Sequence, residues 1–349
     1  MDGVRVTILG CGSWGSALAK ALHEGGNAVT LWGHLAEEIE PIRASCRNEK
    51  YLPGVELPAA VCRAATTDLD AALAGAEALL LVVPSQVLRQ VAARVKASGA
   101  LPANAAWILA AKGLDPQTGR SLCWAIEDEV GPLAERLLVL VGPSHAEEVA
   151  RGLPTALVLA GAESPARAAL QRAFSSDALR VYVNEDRTGT ELGVALKNVV
   201  AVAAGIIDGV GLGDNTKGAL ISRSLAEIGR YIESHGGDRQ TLLGLAGVGD
   251  LVTTCFSQHS RNRHVGEELG QGRSLDAILA DMVQVAEGVH TTRTLHAMAG
   301  QEGVEMPITE QVYAVLFAGK DPQLAIRELM KRDPAPEIRK GGSHARREA

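Results

Sequence analysis

Seven short apolar runs punctuate the first 184 residues and then stop. They are VRVTIL (4–9), AVTLWG (28–33), ALLLVVP (78–84), AAWILAA (105–111), RLLVLVG (136–142), TALVLAG (155–161) and RVYVN (180–184). Strands that are apolar at nearly every position need cover on both faces. Helical patterns fall between several of them, as at 86–97 and 164–175. This predicts an α/β N-terminal region of Rossmann type: a mostly parallel sheet with helices on both faces. The last strands are candidates for antiparallel additions at the sheet edge. From about residue 187 the pattern is helical throughout: TGTELGVALKNVVAVAAGIIDGV, then 217–235, 274–282, 289–301, 307–317 and 322–331. The expected organisation is therefore a dinucleotide-binding domain over 1–187 and an all-helical, substrate-binding domain over 188–332. A polar tail over 333–349, DPAPEIRKGGSHARREA, carries no apolar period and is expected to be disordered. A chain of 349 residues is long enough for two such cores.

The first strand runs into GCGSWG, where Gly10, Gly12 and Gly15 are spaced as in a dinucleotide fingerprint. Gly10 suits the tight turn, Gly12 the close approach of backbone to a pyrophosphate, and Gly15 the packing of helix on strand. The amides of Ser13 and Trp14 then face the phosphates at the start of the helix. Such a triplet alone is weak, but its place between strand and helix at the head of an α/β region marks a dinucleotide site. The end of the second strand reads LWGHLAEE, with Gly33 and His34 where an acid would bind the ribose 2′-hydroxyl of NAD. NADP is thus permitted, with His34 a contact for its 2′-phosphate. A plain surface histidine is the alternative, and Glu37 and Glu38 still allow NAD.

Composition narrows the class further. The formal charge of −7 argues against nucleic-acid binding, which needs clustered Lys and Arg. Five cysteines are scattered with no C-x-x-C pair, a pattern of reduced thiols rather than of a disulfide framework or zinc site. No metal is expected: His259 and His264 are five apart without a third ligand, and His290 and His296 fall on different helical faces. The start of the chain has no secretory pattern, and ALLLVVP is too short to span a membrane. A soluble cytoplasmic protein without membrane insertion is expected.

A bound dinucleotide implies hydride transfer, which in carbonyl reduction also needs a proton donor. Lys197 lies in the apolar stretch GVALKNVVAVAAG, where burial would bring its pKa toward the working pH. A lysine whose stem packs while its head reaches solvent is the structural alternative. Asp250, in LAGVGDLVTTC, is a plausible partner for that ammonium or else a helix N-cap. Ser260, Arg261 and Asn262, in SQHSRNRHVGEELG, read as a helix start suited to a phosphate dianion, or as an exposed basic helix start. AAKGLDPQTG and VGPSHAEEV both follow strands, so Lys112, Gly142 and Ser144 fall where loops line the ligand crevice.

Together these segments resemble the bacterial NAD(P)-dependent glycerol-3-phosphate dehydrogenases. The resemblance rests on GCGSWGSALA, LWGH, YLPG, AKGL, GPSHA, LKNVVAVAAG, GDNTKGAL, GVGDLVTTC, SRNRHVG and VAEGV, in family order over roughly residues 4–330. It implies interconversion of sn-glycerol 3-phosphate and dihydroxyacetone phosphate by hydride transfer, supplying glycerol 3-phosphate for phospholipid synthesis. Lys197 is then the proton acceptor or donor, oriented by Asp250. By the same resemblance Ser13, Trp14, His34, Lys112, Ala146, Arg261, Val285 and Glu287 contact NADP or NAD. The substrate, a small phosphorylated triose, falls to Lys112, Gly142, Ser144, Lys197, Asp250, Ser260, Arg261 and Asn262. A homodimer is allowed. One departure is His145, where GPSHA often has an aromatic residue. A related two-domain dehydrogenase acting on a keto or hydroxy acid is the competing reading, and a catalytically silent NADP sensor a third.

Overall fold

In the computed structural model the described residues are 3–282, 284–333 and 336–337. Among them are nine strands: β1 (Arg5–Leu9), β2 (Ala28–Trp32), β3 (Arg47–Asn48), β4 (Leu52–Glu56), β5 (Ala78–Leu81), β6 (Ala106–Leu109), β7 (Leu137–Val141), β8 (Thr155–Ala160) and β9 (Leu179–Asn184). The helices interleaved with them are α1 (Ser13–Glu24), α2 (Ala36–Ser45), α3 (Ala59–Ala64), α4 (Leu69–Leu73), α5 (Leu88–Ser98), α6 (Leu122–Val130), α7 (Ala146–Ala150) and α8 (Pro165–Phe174). Those that follow are α9 (Arg187–Val210), α10 (Asp214–Ser234), α11 (Asp250–Phe256), α12 (Arg261–Gly270), α13 (Leu275–Asp281), α14 (Glu287–Glu302), α15 (Pro307–Phe317) and α16 (Pro322–Met330).

Seven strands form one sheet in the order β2-β1-β5-β6-β7-β8-β9. The first five are parallel; β8 runs antiparallel to β7, and β9 pairs parallel with β8. The edge addition is thus a parallel pair, joined through α8 and turned over as a unit. Alternate residues of each strand enter different cores. Ala78 and Leu80 face one layer of helices, and Leu79 and Leu81 face the other. That two-sided burial is why these strands read as unbroken apolar runs. The short pair β3–β4, antiparallel and outside the main sheet, carries no such run and was not expected from the pattern.

α9 is the axis of the helical region. It is long and apolar enough to cross a membrane, yet nearly all of it from Gly189 to Ile207 is buried inside the protein. α12 crosses it at unusually close range. A Cβ on Gly205 would collide with the Arg263 carbonyl, and one on Gly209 with that of Glu267. From the other side, Gly266 meets the Val202 carbonyl in the same way. Small residues four apart on both helices therefore fix their contact. Of the tail 333–349, all but Asp333, Pro336 and Glu337 lies outside the described residues.

Candidate active site

The switch in strand order lies at β1, whose neighbours β2 and β5 lead away in opposite directions. Ligand crevices in open α/β sheets form beyond the carboxyl ends of the strands at such a point. Here a cleft of about 620 Å³ opens there, floored by the loops after β1, β2, β5, β6 and β7 and walled by residues from α9, α11 and α12.

The glycine turn is built as its spacing requires. Gly10 sits at φ +118°, and a Cβ there would lie 2.6 Å from the Val82 carbonyl oxygen. A Cβ on Gly15 would collide with the Gly10 carbonyl, whereas one on Gly12 would meet nothing within 4 Å. Gly12 borders the cleft, so its bare backbone faces space that a ligand can fill. This open cradle at the start of α1 fits a dinucleotide pyrophosphate. Asn48 of β3 braces the turn, donating to the Cys11 carbonyl at 2.6 Å and to Ser16 Oγ at 2.8 Å.

Across the cleft a buried charge cluster centres on Asp250. Lys197 Nζ donates to Asp250 Oδ1 at 2.9 Å and also to Thr254 Oγ1, while Lys112 Nζ reaches Asp250 Oδ2 at 2.8 Å. Lys112 further donates to the Gly142 carbonyl at 3.1 Å. Lys197 is only 4% exposed, so burial pulls its pKa down, against the attraction of Asp250 and with help from Lys112, to about 8. Burial alone would raise the Asp250 carboxyl, but the two ammoniums, Lys112 first, hold it below the usual carboxylate range. The carboxylate thus begins α11 without serving as its cap; it carries two cations instead. Burial, reinforced by Lys197 and Lys112, also lowers the His145 pKa, and its Nε2 is buried without a hydrogen-bond partner.

α12 begins beside this cluster. Ser260 is its N-cap and accepts from the Arg263 amide at 3.2 Å. Asn262 donates to Asn198 Oδ1 at 3.0 Å and accepts from the Gly288 amide at 2.8 Å, tying α9, α12 and α14 together. Arg261 donates to the Val285 carbonyl at 3.0 Å. Glu287 spends its carboxylate on the Ser85 amide and hydroxyl, at 3.1 and 2.7 Å, clasping α14 to the loop after β5.

Of the residues picked from the sequence, Gly10, Gly12, Ser13, Trp14, His34, Lys112, Ser144, Ala146, Lys197, Asp250, Ser260, Arg261, Asn262, Val285 and Glu287 all border this one cleft. Gly15 lies behind the turn, and Gly142 contributes its carbonyl to Lys112. Reading the sequence missed Thr254, which holds Lys197, and Asn198, which is paired to Asn262. Both flank residues already singled out: Asn198 adjoins Lys197, and Thr254 lies one helical turn beyond Asp250. Tyr51, which also borders the cleft, entered only as the first residue of YLPG, and Arg94 gave no such signal.

Two family models match the chain, described as the NAD-dependent glycerol-3-phosphate dehydrogenase N-terminus over residues 5–167 and C-terminus over residues 186–327. A glycerol-3-phosphate dehydrogenase [NAD(P)+] of Geobacillus kaustophilus is 46% identical over 335 residues, covering 96% of each chain. That of Chlorobium luteolum is 45% identical over 336 residues, covering 96% of this chain and 99% of its own. The crystal structure of a Coxiella burnetii glycerol-3-phosphate dehydrogenase superposes with a TM-score of 0.89 at 39% identity, covering 95% of this chain and 99% of the other.

Proposed function

The chain belongs to the NAD-dependent glycerol-3-phosphate dehydrogenase family, and we propose that Lys197 carries the proton in its interconversion of glycerol 3-phosphate and dihydroxyacetone phosphate. It is an NAD(P)-dependent oxidoreductase. The nicotinamide, when bound, supplies or accepts the hydride. Ser13, Trp14 and the open face of Gly12 hold its pyrophosphate, and His34 and Ala146 complete the cofactor site. The Lys197 ammonium donates a proton to the oxygen developing at C2 of dihydroxyacetone phosphate, and in oxidation the neutral amine takes it back. Asp250 and Thr254 fix that ammonium in place, and Lys112 sits on the other carboxylate oxygen. The start of α12, with Ser260, Arg261 and Asn262, holds the substrate phosphate through side chains and first-turn amides. Proton transfer of this kind contributes about 10²–10⁴ in rate.

The observation that carries this reading is the buried Lys197–Asp250–Lys112 cluster opening into the same cleft as the glycine turn. A glycerol 3-phosphate product of this reaction serves phospholipid synthesis, and the five free thiols suit a reducing cytoplasm. The test is a substrate panel: dihydroxyacetone phosphate, its unphosphorylated counterpart dihydroxyacetone, ketopantoate and a 3-keto acid, each with NADH and NADPH. Reduction confined to the phosphorylated triose is the expected result, and preference for a keto acid would overturn it.

A further inference from the structure

We propose that Asp208 and Lys217 form a positioning clamp for the turn that opens α12, and so set how tightly the chain holds the phosphate of its substrate. The inference rests on the reading above, which puts that phosphate at Ser260, Arg261 and Asn262. That reading leaves unused both GDNTKGAL, which contains Lys217, and Arg263, the residue next to the triplet.

Asp208 lies in the last turn of α9. The helix dipole disfavours a carboxylate at that end of a helix, so Asp208 does not serve α9 itself. It serves two cations from other helices. Arg263 Nε donates to Asp208 Oδ2 at 2.7 Å, and Lys217 Nζ, from the start of α10, lies 2.5 Å from Oδ1. All three side chains are shielded: Lys217 is 8% exposed, Arg263 14% and Asp208 16%. Buried ion clusters contribute little net stability over apolar packing of the same volume. What this one supplies is fixed geometry.

That geometry converges on the segment between α11 and α12. Lys217 Nζ stands 4.8 Å from the ring centroid of Phe256, the last residue of α11. Asp208 holds Arg263, the third residue of α12. The pair therefore grips both ends of residues 257–262, the stretch that carries the phosphate triplet. Arg263 is itself fixed at three points. Its amide donates to Ser260 Oγ at 3.2 Å, and its carbonyl fills the space that a Cβ on Gly205 would need. Its guanidinium bonds Asp208, with Glu267 3.2 Å away. None of Asp208, Lys217 and Arg263 borders the cleft, so they act on the substrate only through the turn. Releasing them loosens the phosphate end, while Lys197 keeps its bonds to Asp250 and Thr254. KM should therefore suffer and kcat should not.

The test compares dihydroxyacetone phosphate with dihydroxyacetone in the parent chain, Asp208→Asn, Asp208→Glu and Lys217→Gln. Asp208→Asn keeps the shape of the side chain and removes its charge. It should raise KM for dihydroxyacetone phosphate by about tenfold to a hundredfold, with kcat within about threefold. The preference for the phosphorylated over the unphosphorylated triose, in kcat/KM, should fall by the same factor. Inorganic phosphate, added as a competitive inhibitor, should weaken in parallel. Asp208→Glu should recover part of the loss. Lys217→Gln, which leaves the Arg263 pair in place, should move KM in the same direction by less. Asp208→Asn overturns the proposal if it keeps the parent's preference or loses activity on both trioses equally. Should Asp208→Asn fail to fold, as read by urea unfolding, an unchanged KM in Lys217→Gln overturns it instead. A parent that prefers the phosphorylated triose, with variants that keep that preference, sinks this inference alone. A parent without that preference sinks the functional reading beneath it.

Discussion

Lys197 shows how a single side chain acquires its chemistry from its surroundings. An ammonium at full burial is costly, and the Asp250 carboxylate offsets only part of that cost, which leaves the group near pH 8. The sign of the pH dependence follows. Reduction needs the ammonium, so kcat/KM for dihydroxyacetone phosphate should hold below pH 8 and fall above it, by about tenfold per unit. Oxidation of glycerol 3-phosphate needs the amine and should rise through the same region and then level. Profiles in both directions check this, and limbs of the same sign would contradict the assignment. Lys197→Ala should lower kcat by about 10²–10⁴ while leaving NADPH binding, read by fluorescence, within a few-fold. The lysine, its apolar setting and its acidic partner were legible in the sequence as a charge among alanines and valines. Lys112 as second cation on Asp250 was not, because residues 112 and 250 meet only where the folded chain brings the loop after β6 to the start of α11.

The crossing of α9 and α12 sets the distance between Lys197 and the start of α12, the proposed proton donor and phosphate site. Lys197 and Asn198 lie on α9, and Ser260 to Asn262 open α12, so any spreading of the pair separates them. Gly266→Ala must push the helices apart, because its Cβ has a backbone carbonyl in its way. We expect a loss of about 1–3 kcal/mol in urea unfolding and a lower kcat/KM. Gly300, inside α14, is exposed, and a Cβ there meets nothing within 4 Å. Gly300→Ala should therefore stabilise the chain by about 0.5–1 kcal/mol in the same experiment. The same substitution in two helices is expected to have opposite signs. Periodicity located α14 and a helix-start signal marked α12, yet nothing local distinguishes the two glycines; the difference lies in what faces them.

At the scale of the molecule, the cleft is closed by contacts between regions distant in sequence. Glu287 grips Ser85, and Gln284 accepts from Ser13 at 3.1 Å and donates to the Tyr51 carbonyl at 3.3 Å. Ligand binding should therefore stabilise the whole fold, by about 2.7 kcal/mol at a hundredfold excess over Kd. Thermal unfolding with increasing NADPH should show a rising Tm. Glu287→Ala, which frees the loop after β5, should lower the starting Tm and shrink the rise. A rise as large as in the parent would show that this clasp does not support the cofactor site.

The layered α/β region, the helical region after it, the glycine turn and fifteen of the residues that border the cleft were legible in the order of residues alone. These are local matters: strand and helix periods follow from which faces must be buried, and a turn that needs Gly at fixed offsets declares itself. Tertiary structure alone decided the inverted β8–β9 pair, the small β3–β4 sheet and the sharing of Asp250 between two lysines. It also decided the meeting of Arg94 with His34, sixty residues apart. Each of these depends on which side chains a folded chain brings within a few ångströms of each other, and no spacing along the chain encodes that distance.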